Sequence, residues 1–138
     1  MTNFKFQITN KILSPILILL TLYFLYIGNI KPWLASQAFI KREAAKALNY
    51  NTFINHEARK YLAQTAINSN NSDLVLFSLK EMEKNIKERP RDVKSYILLS
   101  YLYYRVNSEK INAIINTAQE LAPNREDVKK LDQMRRLP

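Results

Sequence analysis

The chain has 138 residues, one glycine, five prolines, no cysteine and a formal net charge of +9. The length allows one domain of ordinary size, and the lack of cysteine excludes disulfides, thiolate zinc sites and cysteine nucleophiles. So little glycine argues against β-hairpins, whose turns need positive φ, and an all-α chain is expected.

Residues 1–11 are short and polar and are expected to be poorly ordered. Residues 12–30 read ILSPILILLTLYFLYIGNI and contain no charge. A bilayer core of about 30 Å takes roughly 20 apolar residues in a helix, which this stretch nearly supplies. Its centre, residues 16–27, is interrupted only by Thr21, whose hydroxyl can bond back to the preceding turn. Pro15 is expected in the first turn, where its missing N–H does least harm. Tyr23, Tyr26 and Trp33 cluster toward the C-terminal end, as amphipathic rings do at a headgroup layer, and Lys11 and Lys31 bracket the run. A single transmembrane helix in residues 1–33 is therefore expected, with membrane lipid as its first partner.

Three other readings are open. A buried core helix would usually keep a polar face, which this stretch lacks. A cleaved signal peptide fits Lys5 and Lys11 ahead of the run, but the small-residue site Ser36-Gln37-Ala38 lies far beyond it. The stretch could also be the last span of a longer membrane protein. Orientation is undetermined, because Lys5 and Lys11 on one side face Lys31, Lys41, Arg42 and Lys46 on the other.

Residues 34–138 are expected to form a helical domain. Lys31-Pro32 marks a break, since proline disfavours helix in the residue before it. A helix over 34–48 would place Leu34, Ala38, Ala45 and Leu48 on one face. Asn49-Tyr50-Asn51-Thr52 is a turn. A helix over 55–68 has a stripe of Ala58, Tyr61, Leu62, Thr65 and Ala66. The next, over 72–89, takes Ser72 as N-cap and buries Val75, Leu79, Met82 and Ile86. Its other side, with Lys80-Glu81, Glu83-Lys84 and Lys87-Glu88, is a solvated face. Asp92 caps a helix over 93–105 that is apolar nearly all round and should be sandwiched between neighbours. Val106-Asn107 turns the chain, and Ser108 caps a helix over 109–122 with Ile111, Ile114, Ile115, Ala118 and Leu121 inward. Asn124 and Asp127 have the spacing of a capping box for a last helix over 125–137, anchored by Val128, Leu131, Met134 and Leu137.

Past Leu34 there are 18 Lys and Arg against 12 Asp and Glu, interleaved rather than gathered into a block. A solvated surface is the plain reading. Anionic headgroups are a better expected neighbour than nucleic acid, and no nucleic-acid partner is expected.

Pro90 and Pro123 each close a helix and lie 33 residues apart, with two helices between them. That is close to the 34-residue period of a tetratricopeptide repeat. Tyr96, Leu99, Ser100 and Tyr103 fall on its first-helix positions, and Ile111, Ile115 and Ala118 on its second-helix positions. The best repeat is thus 92–123, with the helices before it as an eroded earlier unit and 125–137 as a capping helix. A generic bundle of helical hairpins is the alternative. The expected fold class is all-α: one transmembrane helix, then a small antiparallel helical-hairpin domain resembling tetratricopeptide repeats.

The segment Tyr50-Asn51-Thr52-Phe53-Ile54-Asn55-His56-Glu57-Ala58-Arg59, with Asn29-Ile30-Lys31-Pro32 and Ala35-Ser36 upstream, resembles the C-terminal tails of O-antigen ligase/O-antigen polymerase family membrane proteins. In those tails a last transmembrane helix is followed by tetratricopeptide-like repeats. The resemblance runs from about residue 12 to the end. It implies a bacterial cell-surface polysaccharide system, glycan-assembly machinery or another protein as partner, and an extracytoplasmic helical domain. It carries no catalysis, because that family's multi-span core and large outward loop have no counterpart here. A detached tail, a gene fragment or a stand-alone derivative is the expectation.

No site chemistry stands out. His56 is the only histidine, and no nucleophile motif, phosphate loop or metal-ligand spacing accompanies it. No catalytic, metal or cofactor site is expected. Tyr96, Tyr103 and Tyr104, with Tyr101, are candidates for a partner groove, since tyrosine couples an apolar ring to a hydroxyl. Core packing is the competing role for the same residues.

Overall fold

The computed structural model describes residues 2–135, with side chains from residue 14 onward. Its described residues are helical, without strands: α1 (Thr2–Leu25), a π-helical turn (Tyr26–Ile30), α2 (Lys31–Ile40), α3 (Ala44–Asn49), α4 (Asn55–Ile67), α5 (Ser72–Glu88), α6 (Val93–Arg105), α7 (Ile111–Leu121) and α8 (Glu126–Met134). The chain divides into two compact units, Met1–Ile54 and Asn55–Pro138. This division falls further along than the expected one between residues 33 and 34, because helix continues through Lys31 and Pro32.

In the first unit, helix begins well before the apolar run, so the polar leader is helical rather than loose and Pro15 sits inside α1. Pro32 does not break the chain either. Its ring would collide with the carbonyl four residues back, and the turn ahead of it widens instead. Lys31 N–H reaches Tyr26 O, the longer reach of a π turn, and Pro32 occupies the start of α2. Thr21 Oγ1 donates to Leu17 O at 2.8 Å, as expected, and Ser36 Oγ to Pro32 O at 2.9 Å. From Ser14 to Ile40 the helix is long and apolar enough to cross a membrane, and residues 14–30 of it are exposed throughout.

The expected single helix over 34–48 is two. Arg42 takes a left-handed φ of 62°, with Arg42 N–H bonded to Phe39 O and Glu43 N–H to Ala38 O, both at 2.9 Å. This Schellman closure usually recruits Gly or Asn; Lys41-Arg42-Glu43 are good helix formers and gave no stop signal. The break resets the helical phase, so Ala35, Ala38, Ala44 and Ala47 are buried while Ala45 is exposed. The same closure ends α6, where Asn107 has φ 49° and Ser108 N–H bonds Tyr103 O at 3.0 Å. There the expected turn is found, on a residue that tolerates it.

In the second unit α4, α6 and α8 pack in succession, α5 lies against α4 and α6, and α7 against α6 and α8. Two apolar clusters result. One joins α4, α5 and α6 through Ala63, Ala66, Val75, Met82, Leu98, Leu99 and Leu102. The other joins α6, α7 and α8 through Tyr96, Ile97, Ile115, Ala118, Val128 and Leu131. α6 belongs to both, which is why its sequence is apolar nearly all round.

Several local expectations change. Asn71, not Ser72, caps α5, its side chain accepting from Leu74 N–H at 3.0 Å. Ser108 stops short of capping α7, which begins at Ile111. Arg125 holds the position before α8 and no side-chain cap forms there. Thr65 faces out with its hydroxyl on Tyr61 O, while Arg59 and Ala63 join the buried face of α4. A helix packed on two neighbours buries a wider arc than one stripe. Leu121 is exposed, and Leu137 lies outside the described residues.

Leu99 is fully buried at the shared helix. Leu99→Ala is expected to cost about 2–5 kcal/mol, measured by thermal unfolding in detergent, whereas Tyr101→Ala, on the exposed side of α6, should change stability by less than about 1 kcal/mol.

Candidate functional site

The three candidate tyrosines do not form one surface. Tyr96 is buried in the α6–α7–α8 cluster, and its hydroxyl donates to Pro90 O at 3.2 Å, pinning the turn before α6. Tyr103 is buried in the α4–α5–α6 cluster, where its hydroxyl donates to the Glu83 carboxylate. Burial, helped by the adjacent carboxylate, pushes the Tyr103 phenol well above its ordinary range and keeps it neutral. Tyr104 is 43% exposed. It shares with Tyr103 a cleft of about 470 Å³ at the α6–α7 turn, lined also by Arg105, Asn107, Ile111 and Arg135. Both guanidinium groups of that cleft are engaged elsewhere: Arg105 donates to Ile67 O, and Arg135 to Asn116 Oδ1, each at 2.5 Å. The cleft is therefore a polar notch beside Tyr104, and Tyr96 lies in another part of the unit.

The strongest electrostatic feature is one the sequence reading missed. Arg59 on α4 is 5% exposed and Glu81 on α5 is 7% exposed. Arg59 Nε donates to Glu81 Oε2 at 3.1 Å and its Nη1 to Glu88 Oε2 at 2.5 Å. Lys84 closes on the other Glu81 oxygen. Burial weakens the Arg59 cation, but the hydrogen bonds to Glu88 and Glu81 more than compensate and hold its pKa up. The Arg59 bond, in turn, holds the Glu88 carboxyl below its ordinary range.

A second polar chain runs beside it. Asn85 Nδ2 donates to Ser95 Oγ at 2.7 Å, and Ser95 Oγ donates to Asp92 Oδ2 at 2.8 Å. Lys60 Nζ lies 3.4 Å from Asp92 and 2.8 Å from Glu57, and His56 Nε2 is 3.1 Å from Glu57. Partial burial raises the Asp92 pKa, but the Ser95 hydroxyl and the Lys60 charge prevail and hold it low. The Lys60 hydrogen bond does the same for Glu57. Together the two chains tie α4, α5 and the start of α6 at one end of the unit.

The signal for this cluster was present. Arg59 is three and seven residues from Leu62 and Ala66, inside the apolar stripe of α4. Ser78, Glu81, Asn85 and Glu88 recur at helical spacing along α5. Reading Glu81 as part of a solvated face overlooked that polar stripe. The arrangement ties three helices together, each of its acids lying within ion-pair reach of a cation: Glu81 and Glu88 of Arg59, Glu57 and Asp92 of Lys60. Among the described residues no three His, Asp or Glu side chains group as metal ligands. No protein-family model, curated protein or solved structure matches this chain.

Arg59→Met leaves the buried Glu81 with only the half-exposed Lys84 as partner and is expected to cost about 3 kcal/mol, with much of that recovered in the Arg59→Met/Glu81→Met double variant; denaturant titration of both checks it. The depressed carboxyls Glu57, Glu88 and Asp92 stabilise the folded state above their unfolded pKa values, and that contribution is lost as pH falls through the lower folded values. The melting temperature should therefore hold at neutral pH and drop below about pH 4, and Asp92→Asn should flatten that drop.

Proposed function

We propose that the chain is a non-catalytic, membrane-anchored helical scaffold: a single-pass helix holding a tetratricopeptide-like domain that engages a protein or glycan-assembly partner. The carrying observation is the apolar helix. Twelve large side chains from Ile16 to Ile30 are 41–67% exposed, and each would gain roughly 1.5 kcal/mol or more on leaving water. Lipid is the solvent that covers all faces of such a helix at once.

The repeat reading is supported by helix order. α4 with α5 and α6 with α7 are consecutive antiparallel pairs, and α8 follows on α6 and α7 as a closing helix would. Leu99, Ser100, Tyr103, Ile115 and Ala118, at the expected repeat positions, are all buried. The likeness of the YNTF segment and of the element order to O-antigen ligase/O-antigen polymerase tails supports a role in bacterial cell-surface polysaccharide assembly, with the helical domain extracytoplasmic. The position of the apolar helix near the N-terminus also suits a signal sequence, which makes a secreted basic domain the second reading.

Expression of the full chain followed by membrane fractionation, carbonate extraction and intact-mass analysis separates the two. An intact chain that stays in the membrane pellet after carbonate supports the anchor. A soluble product beginning beyond Ser36-Gln37-Ala38 supports the secreted domain, and a full-length chain in the supernatant without detergent defeats the anchored reading.

A further inference from the structure

The turn between α5 and α6 presents four exposed basic residues, Lys87, Arg89, Arg91 and Lys94. No ion pair engages any of them among the described residues, although acids are interspersed with them. Those acids are held by other partners: Glu88 by Arg59 at 2.5 Å and Asp92 by Lys60 at 3.4 Å. The nearby Glu57 is likewise held, 2.8 Å from Lys60. Arg59 and Lys60 thus offset part of the charge of these carboxylates, and with Lys87, Arg89, Arg91 and Lys94 added this end of the unit stays net positive.

Helix dipoles do not account for this set. Lys87 and Arg89 sit favourably at the C-terminal end of α5, but Arg91 and Lys94 lie at the N-terminal end of α6, where a cation is disfavoured. The turn is also held in shape. Asp92 N–H bonds Arg89 O at 3.1 Å, Tyr96 Oη bonds Pro90 O at 3.2 Å, and Asn85 and Ser95 brace it from below at 2.7 Å. The first turns of α4 lie at this same end, as the Arg59–Glu88 and Lys60–Asp92 pairs require. The chain leading into α4 comes from the membrane-length helix ending at Ile40, with fourteen residues between Ile40 and Asn55.

We propose that Lys87, Arg89, Arg91 and Lys94 form a docking patch for anionic phospholipid headgroups of the bilayer that holds the anchor. The inference rests on the membrane-anchored reading and adds a second, electrostatic contact to it. A preset patch of basic side chains on a domain tethered to a bilayer is attracted to anionic headgroups once it comes within a screening length of about 10 Å.

The absence of native cysteine makes the test direct. Lys94→Cys places a fluorophore in the patch, and Lys110→Cys places one beyond the far end of α6 with the same charge removed. The full chain is reconstituted into vesicles of phosphatidylcholine, with or without phosphatidylglycerol, containing a trace of headgroup-quencher lipid. At position 94, quenching is expected to rise roughly fivefold with phosphatidylglycerol, the change that one basic contact supports, with little rise at 110. Arg89→Glu/Arg91→Glu in the Lys94→Cys chain, with helicity unchanged by circular dichroism, should abolish that rise, as should about 1 M salt, where the screening length is about 3 Å. Equal quenching at both positions, or a rise that survives charge reversal, in a chain that floats with the vesicles overturns the patch and leaves the anchor standing. A chain that floats with neither vesicle overturns the anchor and the patch together.

Discussion

An uncharged helix with apolar side chains on every face has no stable arrangement in water. From Ser14 to Ile30 every residue is exposed, and no described residue covers this surface. Polar groups in and just beyond this stretch are handled internally: the hydroxyls of Thr21 and, further on, Ser36 donate to carbonyls one turn back, and the Tyr26–Ile30 turn widens ahead of Pro32 so that the backbone ladder continues. That combination, satisfied backbone and unsatisfied apolar surface, is what a bilayer demands of a spanning segment. It is the constraint on which the proposed anchoring depends.

The second unit solves the opposite problem. Its helices are short, its surface is charged, and one helix contributes to both halves of the core. α6 lies in both apolar clusters, so α4–α5 and α7–α8 are held together through it. The polar chains from Arg59 and Lys60 then fix the angle at which α4 and α5 meet the start of α6. A buried ion pair of this kind is a weak source of net stability, but breaking it is costly. It also sorts charge: Glu81 and Asp92 turn inward to Arg59 and Lys60, Glu88 and Glu57 pair with the same cations at the surface, and the bases of the α5–α6 turn are left outward.

Much of the organisation was legible in local pattern. The apolar run, the turns at Asn51 and Asn107, the helices α4 to α6 and the anchors Val128, Leu131 and Met134 follow from periodicity and from residues that stop helices. The misreadings share a cause. The break at Arg42 uses a left-handed residue with no local signature, and the caps of α5, α7 and α8 were assigned to whichever Ser or Asn stood near. Burial of Glu81 could not be seen from α5 alone, since its charge becomes tolerable only when Arg59 of another helix faces it.

The sequence by itself determined the all-helical class and the single apolar stretch, because helical period and hydropathy are properties of one segment read against its solvent. Only the tertiary structure decided which tyrosines are core, that Tyr101 and Tyr104 stay exposed while Tyr96 and Tyr103 do not, and which charges are sequestered. Those outcomes depend on what residues far apart in the chain bring to one another, and a linear pattern holds no record of that partner.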